Sequence, residues 1–274
     1  MRKFRVFLGY FTLILIAISM LYPFFAMINL SFTGNNEIFS HAGKIFHSDL
    51  TLDNYKNVFS EIPIGLYFFN SLVVATITTI GQVIFSALAG YAFARLNFKH
   101  RNALFLLFLI TMLVPPQVNI IPLFFLMREL HLIDTYQALI LPALFGGFGV
   151  FLMRQYFLGF PKDLEESAKM DGCNLIQTFF KIALPLALPT VATLAIFTFV
   201  TTWNSFMWPL IVTNSESMRT LPVGLAIYKG SFRELTLWGN LLACSVICTI
   251  PVIAVFLIGK KYFISDILQG GVKE

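Results

Sequence analysis

Two groups of residues carry whatever chemistry this sequence can perform. The first is the charged segment 161–185, PKDLEESAKMDGCNLIQTFFKIALP, set between long apolar runs. Charges at helical spacing between two turns suit a short exposed helix, either an interfacial linker joining two neighbouring elements or a docking element for another protein. The second is a set of uncharged polar residues inside the apolar runs: Thr198, Thr201, Thr202, Asn204 and Ser205, with Gln82 and Ser86 at i and i+4 of an earlier run. Thr198, Thr202 and Ser205 recur at helical spacing and define one polar stripe with Phe199 and Trp203 beside it. Hydroxyls, an amide and aromatic faces could line a path for a neutral polar solute. They could equally hydrogen-bond between helices and hold a bundle together.

Other chemistry is missing from the sequence. His41, His47, His100 and His131 fall outside the apolar runs, with no H-E-x-x-H and no partner at ligand spacing, so no metal site is expected. There is no G-x-S-x-G and no G-x-x-x-x-G-K-[ST], so neither an esterase-type nucleophile nor a phosphate cradle is expected. Cys173, Cys244 and Cys248 form no C-x-x-C and read as small packing residues. The apolar runs hold no Asp, Glu or Lys in their interiors, which argues against a secondary transporter or channel powered by its own ionisable relay. What remains is a scaffold whose energy comes from elsewhere.

The elements that position these residues follow from composition. Of the 274 residues 57% are apolar and 12% charged, Phe alone supplies 31, and the mean hydropathy is +0.78. That balance excludes a soluble core and a disordered chain. Lys and Arg are scattered in small groups between the runs, which orients membrane spans and does not build a nucleic-acid face. A bilayer core about 30 Å thick needs about 20 apolar residues per helix. Six stretches meet that length, at 8–30, 67–93, 103–127, 136–158, 187–212 and 239–259, so the fold expected is all-α and polytopic, one transmembrane domain over 1–274 with no internal repeat. The first run is too long for a signal-peptide core and is kept as a span. Pro115, Pro116, Pro122, Pro142 and Pro209 are expected to kink these spans without breaking them. Arg2, Lys3 and Arg5, then Arg95, Lys99 and Arg101, then the basic residues of 154–181 and 260–273, fall on one side and outnumber those opposite by about two to one. Both termini and the 159–186 loop are therefore expected in the cytoplasm. In the long outer segment 31–66, Leu52, Tyr55, Val58 and Phe59 fit one face of a short surface helix.

Within 161–185, Asp163 and Glu166 have capping-box spacing and start a helix, with Glu165 and Lys169 as an i, i+4 pair. Gly172 suits the left-handed position that ends it. Asn174 and Gln177 repeat the capping signature and start a second helix toward Pro185.

The run from Glu166 to Pro185, ESAKMDGC followed by IALP, resembles the cytoplasmic loop of ATP-binding-cassette (ABC) importer permeases, usually written E-A-A-x-x-D-G and then I-x-L-P. Ser167 and Cys173 replace alanines of that pattern. The resemblance extends along the chain to the second permease subunit of carbohydrate importers, the maltose-type group. It is carried in order by Asn54-Tyr55, Asn70-Ser71-Leu72, the run Tyr91 to Leu96, Val114-Pro115-Pro116, Ile121-Pro122-Leu123, Asp134-Thr135-Tyr136, the run Trp203 to Leu210, the run Leu221 to Leu225, and Gly270-Gly271-Val272-Lys273. It implies a heterodimer with a second permease in the inner membrane of a bacterium or archaeon, a pair of ATPase subunits that hold ATP and magnesium, and an extracytoplasmic solute-binding protein that delivers a sugar. The chain itself would be no enzyme and hold no cofactor. Glu166, Ala168, Asp171 and Gly172 would then sit on the helix that docks to an ATPase. Gln82, Thr198, Thr202, Asn204 and Ser205 are the candidate sugar path, and the tail 265–274, loosened by its glycines, would reach toward the ATPase pair.

Overall fold

The computed structural model describes residues 2–35, 37–38, 50–231 and 237–270; their regular structure is helical, apart from one antiparallel bridge between Thr33 and Leu50. α1 (Arg2–Ser31), α3 (Ile64–Arg95) and α14 (Trp238–Gly270) are each long and apolar enough to cross a bilayer unaided. The count reaches six when three bent pairs are each taken as one span. In the first, α4 (Arg101–Leu113) meets the Pro116–Glu129 stretch, which contains α5 (Ile120–Glu129), at 94°. In the second, α6 (Tyr136–Ile140), prolonged to Ala143 by a 3-10 turn, meets α7 (Gly147–Leu158) at 41°. In the third, Leu175–Leu186 meets α11 (Leu188–Trp203) at 76°.

The helices depart from the expected spans at two places. Pro115 and Pro116 do more than kink the third span: Pro115 is extended, with ψ 131°, and the chain turns sharply, because neither proline can donate to the preceding helical turn. The span placed at 187–212 also ends early. α11 stops at Trp203, residues 204–206 turn, and α12 (Met207–Val212) starts anew.

The chain divides into two compact units, residues 1–66 with 221–250 and residues 67–220 with 251–274. In the first, α1 is apolar all round, and its side chains from Phe4 to Phe24 stand exposed, as suits a helix sheathed by lipid or by another subunit. α2 (Asp53–Glu61) turns Asn54 and Val58 inward, whereas Leu52 and Phe59, grouped with Val58 on one face by spacing, are exposed. Asn54 explains the rotation. Its amide donates to the carbonyls of Ser31 and Thr33 at 2.8 and 2.7 Å, and its oxygen accepts from Asn35. Asn35 also donates to Asn240, whose amide donates to the Tyr228 hydroxyl, which donates to the Glu61 carboxylate. Tyr228 lies on α13 (Leu221–Ser231), and burial together with Glu61 pushes its phenol well above the usual range. Gly239 sits against Asn54 so closely that a Cβ would lie 2.5 Å from the amide nitrogen.

In the second unit, the aromatic core joins Tyr91 of α3, Phe157 of α7 and Phe179 of the segment after the charged loop, with centroids of Tyr91 5.2 and 5.1 Å from the other two. Lipid is as apolar as leucine, so burying an apolar side chain against another helix gains little; close van der Waals fit decides the packing. α3 and α7 meet through their glycines accordingly. A Cβ on Gly90 would lie 2.6 Å from Met153 Cβ, and one on Gly149 would lie 2.2 Å from the Ser86 hydroxyl. The last helix runs on to Gly270, so 265–270 is helical where a loose tail was expected; 271–274 lie outside the described residues.

Candidate functional site

Three of the interruptions in the spans collect around one cavity of the second unit, about 640 Å³ in volume, whereas the break at Ala187 is packed in the aromatic core. Backbone that leaves the helix at membrane depth is tolerated only where protein covers it or where it lines a wet space. The three interruptions at the cavity line such a space, and the one at Ala187 is covered by protein. The turn after Pro115 contributes Pro116, Gln117 and Asn119, the end of α6 contributes Pro142 and Ala143, and the chain between α11 and α12 contributes Ser205 and Phe206. α3 supplies the straight wall with Ser71, Val74 and Gln82.

Of the five path candidates, the cavity takes Gln82, Thr202 and Ser205 and leaves two out. Thr198 is 3% exposed and packs in the core. Asn204 caps the end of α11, with its side-chain amide donating to the Val200 carbonyl at 2.9 Å. The single stripe expected of Thr198, Thr202 and Ser205 fails because the helix ends between Thr202 and Ser205, whose N–H returns to the Thr202 carbonyl. Gln117, Asn119, Ser71, Thr220 and Trp208 line the cavity without having been singled out by spacing. Trp208 directs its indole N–H to the Ala138 carbonyl at 2.9 Å. The Thr220 hydroxyl is buried and finds no hydrogen-bond partner among the described residues, nor do those of Thr78 and Ser86 on α3. No charged side chain lines the cavity among the described residues, so its chemistry is that of hydroxyls, amides and aromatic faces.

One loop near the cavity is tied by residues of the Asn70-Ser71-Leu72 and Asp134-Thr135-Tyr136 runs. Asn70 donates to the carbonyls of Ser217 and Arg219 at 2.8 and 2.9 Å and accepts from the Tyr136 hydroxyl at 2.5 Å. Asp134, at φ 63°, accepts from the N–H groups of Asn214 and Ser215 at 2.9 and 3.0 Å. Burial works against ionisation of Asp134, but the bonds from Ser215 and Asn214 outweigh it and hold its carboxyl below the usual aspartate value.

The charged loop forms the second locus. α8 (Lys162–Met170) starts one residue before Asp163, behind Pro161, with no side-chain cap. The capping box at Asp163 and Glu166 is therefore absent, because the extended Pro161 already occupies the cap position and leaves Asp163 inside the first turn, where its charge suits the helix dipole. Glu165 does not pair with Lys169; its carboxylate lies 2.8 Å from Arg95 Nε. At the other end the reading holds. Gly172 has φ 79°, its N–H bonds the Lys169 carbonyl and that of Cys173 bonds Ala168, the double closure of a Schellman turn. Asn174 and Gln177 form the reciprocal capping box at 2.9 Å each. Ala168 is 2% exposed and faces the chain itself, so its small size is first required by internal packing. Glu166, Asp171 and Gly172 are exposed, and so are Leu164, Met170, Leu175 and Ile176 around them. Of the histidines, His100 and His131 take exposed left-handed turn positions, while His41 and His47 lie outside the described residues.

Broken apolar spans enclosing an uncharged polar cavity, together with a short exposed helix between two of them, define a multi-pass membrane transport subunit. Residues 82–269 match the model of the binding-protein-dependent transport system inner membrane component, and the chain belongs to that family as a permease subunit of an ABC importer. It is 41% identical to the arabinooligosaccharides transport system permease protein AraQ of Halalkalibacterium halodurans, over 94% of this chain and 93% of that one. It is 36% identical to the trehalose/maltose transport system permease protein MalG of Thermococcus litoralis, over 95% and 94% of the two chains. The fold superposes with a TM-score of 0.83, at 24% identity and over 96% and 98% of the two chains, on a chain from the crystal structure of a bacterial ABC transporter involved in the import of the acidic polysaccharide alginate.

Proposed function

We propose that this chain, acting as one permease domain, carries a neutral sugar or short oligosaccharide through the 71–220 cavity, with Gln82, Thr202 and Ser205 among the groups that meet sugar hydroxyls. The observation that carries this reading is the cavity itself: about 640 Å³, open, free of charged lining among the described residues, and lined by amides and hydroxyls beside Trp208 and Phe206. The sugar-named relatives support the same class of solute.

The rest of the assembly belongs to the proposal too. The partners are a second permease, two ATPase subunits that bind ATP and magnesium, and an extracytoplasmic binding protein. Both termini lie in the cytoplasm, and α8 meets an ATPase through Glu166, Asp171 and Gly172 with the apolar side chains around them. Co-expression with candidate partners tests it: ATPase subunits should co-purify, and vesicles holding the assembly should take up labelled arabino- or malto-oligosaccharides only with ATP inside the compartment that α8 faces. Uptake driven by an ion gradient without ATP would refute it. A reporter active only outside should be active after Lys56 or Arg219 and silent after Lys169.

A further inference from the structure

α8 has two faces with different work. Its outer face presents Leu164, Glu166, Ser167 and Met170 to solvent, Met170 at 88% exposure. Its inner face is held by the end of α3. Arg95, in the last turn of that helix, donates from Nε to Glu165 Oε1 at 2.8 Å and from Nη2 to the Phe160 carbonyl at 2.9 Å, and its guanidinium lies 5.8 Å from the centre of the Phe160 ring. Tyr91, one turn earlier on the same face, donates its hydroxyl to the same Glu165 oxygen at 3.2 Å. Ala168, one turn beyond Glu165, is buried. The two side chains of the ion pair are 8% and 15% exposed, far drier than the other pair among the described residues, Lys56 with Asp53 at 74% and 68%. A pair so sheltered is screened little by salt and fixes geometry as a surface pair does not.

α3 is unbroken from Ile64 to Arg95, and Ser71, Val74 and Gln82 on it line the cavity. At 1.5 Å per residue, Gln82 stands about 20 Å along the rod from Arg95, and Ser71 about 36 Å. The three bent pairs can absorb a push at their breaks, whereas a continuous helix passes it on. From this geometry we infer that Arg95, Tyr91 and Glu165 are positioning residues that lock α8 to α3, so that displacement of α8 by a partner moves the cavity wall at Gln82 and Ser71. Glu166 faces the partner; Glu165, its neighbour, faces the chain and turns that contact into movement. The inference rests on the ATP-driven reading above.

The test uses the complete assembly in vesicles, with ATP hydrolysis and sugar uptake measured on the same preparation. Wild-type vesicles come first: if their uptake ignores ATP, the ATP-driven reading fails before the lock is tried. Given ATP-dependent uptake, Glu165→Ala should leave ATPase subunits bound and hydrolysis within about twofold of wild type, while uptake per ATP falls about tenfold. Glu166→Ala should instead weaken ATPase retention. Glu165→Gln keeps an acceptor for Tyr91 and should fall between Glu165→Ala and wild type. Exchanging the charges, with Arg95→Glu and Glu165→Arg together, should recover uptake per ATP above either single change. Unchanged uptake per ATP in Glu165→Ala would overturn the inference. So would failure of Glu165→Ala, Glu165→Gln and the exchanged pair alike to accumulate, since the residues would then serve folding alone.

Discussion

Replacing Gly90 by alanine adds one methyl group where α3 presses on α7, and the structure sets its cost. The new Cβ would lie 2.6 Å from Met153 Cβ, 2.8 Å from the Arg154 backbone nitrogen and 2.9 Å from the Met153 carbonyl carbon. Comfortable carbon contacts begin at about 3.5 Å, so the helices must part by close to about 1 Å. Two of the three obstructing atoms are main chain and cannot turn aside as a side-chain tip would. Overpacking of this kind costs about 1–3 kcal/mol. Against it stands the gain from replacing glycine inside a helix, about 1 kcal/mol. Because two of the obstructing atoms are main chain the cost lies in the upper part of that range, and the clash wins by up to about 2 kcal/mol. Gly9 on α1 isolates the gain, because nothing lies within 4 Å of its added Cβ. Gly81 is intermediate: its methyl would meet only the Leu144 side chain, at 2.4 Å from Cδ2, and that tip can rotate away. Thermal unfolding in detergent, followed by a thiol-reactive dye on the buried Cys244, should therefore rank Gly9→Ala at or above wild type, Gly81→Ala near it and Gly90→Ala several degrees below. A midpoint for Gly90→Ala equal to that of Gly9→Ala would refute the argument that backbone approach, and not helix propensity, decides this interface.

Thr202→Leu should impair sugar uptake in an assembly that still forms, because Thr202 lines the cavity, whereas Thr198→Leu should lower the thermal midpoint, because Thr198 is 3% exposed and has no room to grow. At Gly172 no neighbour lies within 4 Å and only φ 79° constrains the residue, so Gly172→Asn should keep the α8 turn while Gly172→Val strains it by on the order of 1–2 kcal/mol and lowers ATPase retention. For Asp134 the folded pKa lies below the ordinary value, so its contribution to the 213–215 loop is complete above the ordinary aspartate range and is lost as pH falls through the lower folded value. Protease susceptibility of that loop should rise on acidification from about pH 7 to about pH 3, and Asp134→Ala should already be susceptible at the higher pH.

The spans were legible because hydrophobic length is a one-dimensional property that a bilayer reads directly. Where they break was not. Pro115-Pro116 announces an interruption, but whether it becomes a shallow kink or a 94° turn depends on what can satisfy or hydrate the freed carbonyls, which is a fact of the surrounding cavity. Trp203 illustrates the converse, since no proline or glycine precedes the end of α11. The fully buried Trp203 ring stacks on Phe199 and meets Phe68 edge-on at 5.5 Å, a packing commitment that the helical pattern does not reveal.

At α8 spacing paired Asp163 with Glu166 as a capping box and Glu165 with Lys169, and neither local pair forms. Asp163 to Glu166 and Glu165 to Lys169 are both plausible local pairs, each worth a few tenths of a kcal/mol on an exposed helix. The long-range competitor is stronger. A guanidinium fixed at the end of α3, already committed to the Phe160 carbonyl, offers Glu165 a charge-assisted bond in a sheltered site, and Tyr91 adds a second donor to the same oxygen. Rotating α8 to satisfy Glu165 turns Ala168 inward with it and leaves Glu166 outside. The run Tyr91 to Leu96 and the charged segment 161–185 were each conspicuous, but the contact of Arg95 with Glu165 joins residues 70 apart in sequence, beyond any periodicity. The pattern of short-range pairs marks where a charged helix is; which face it shows to a partner is decided by the one acid that the rest of the chain has claimed.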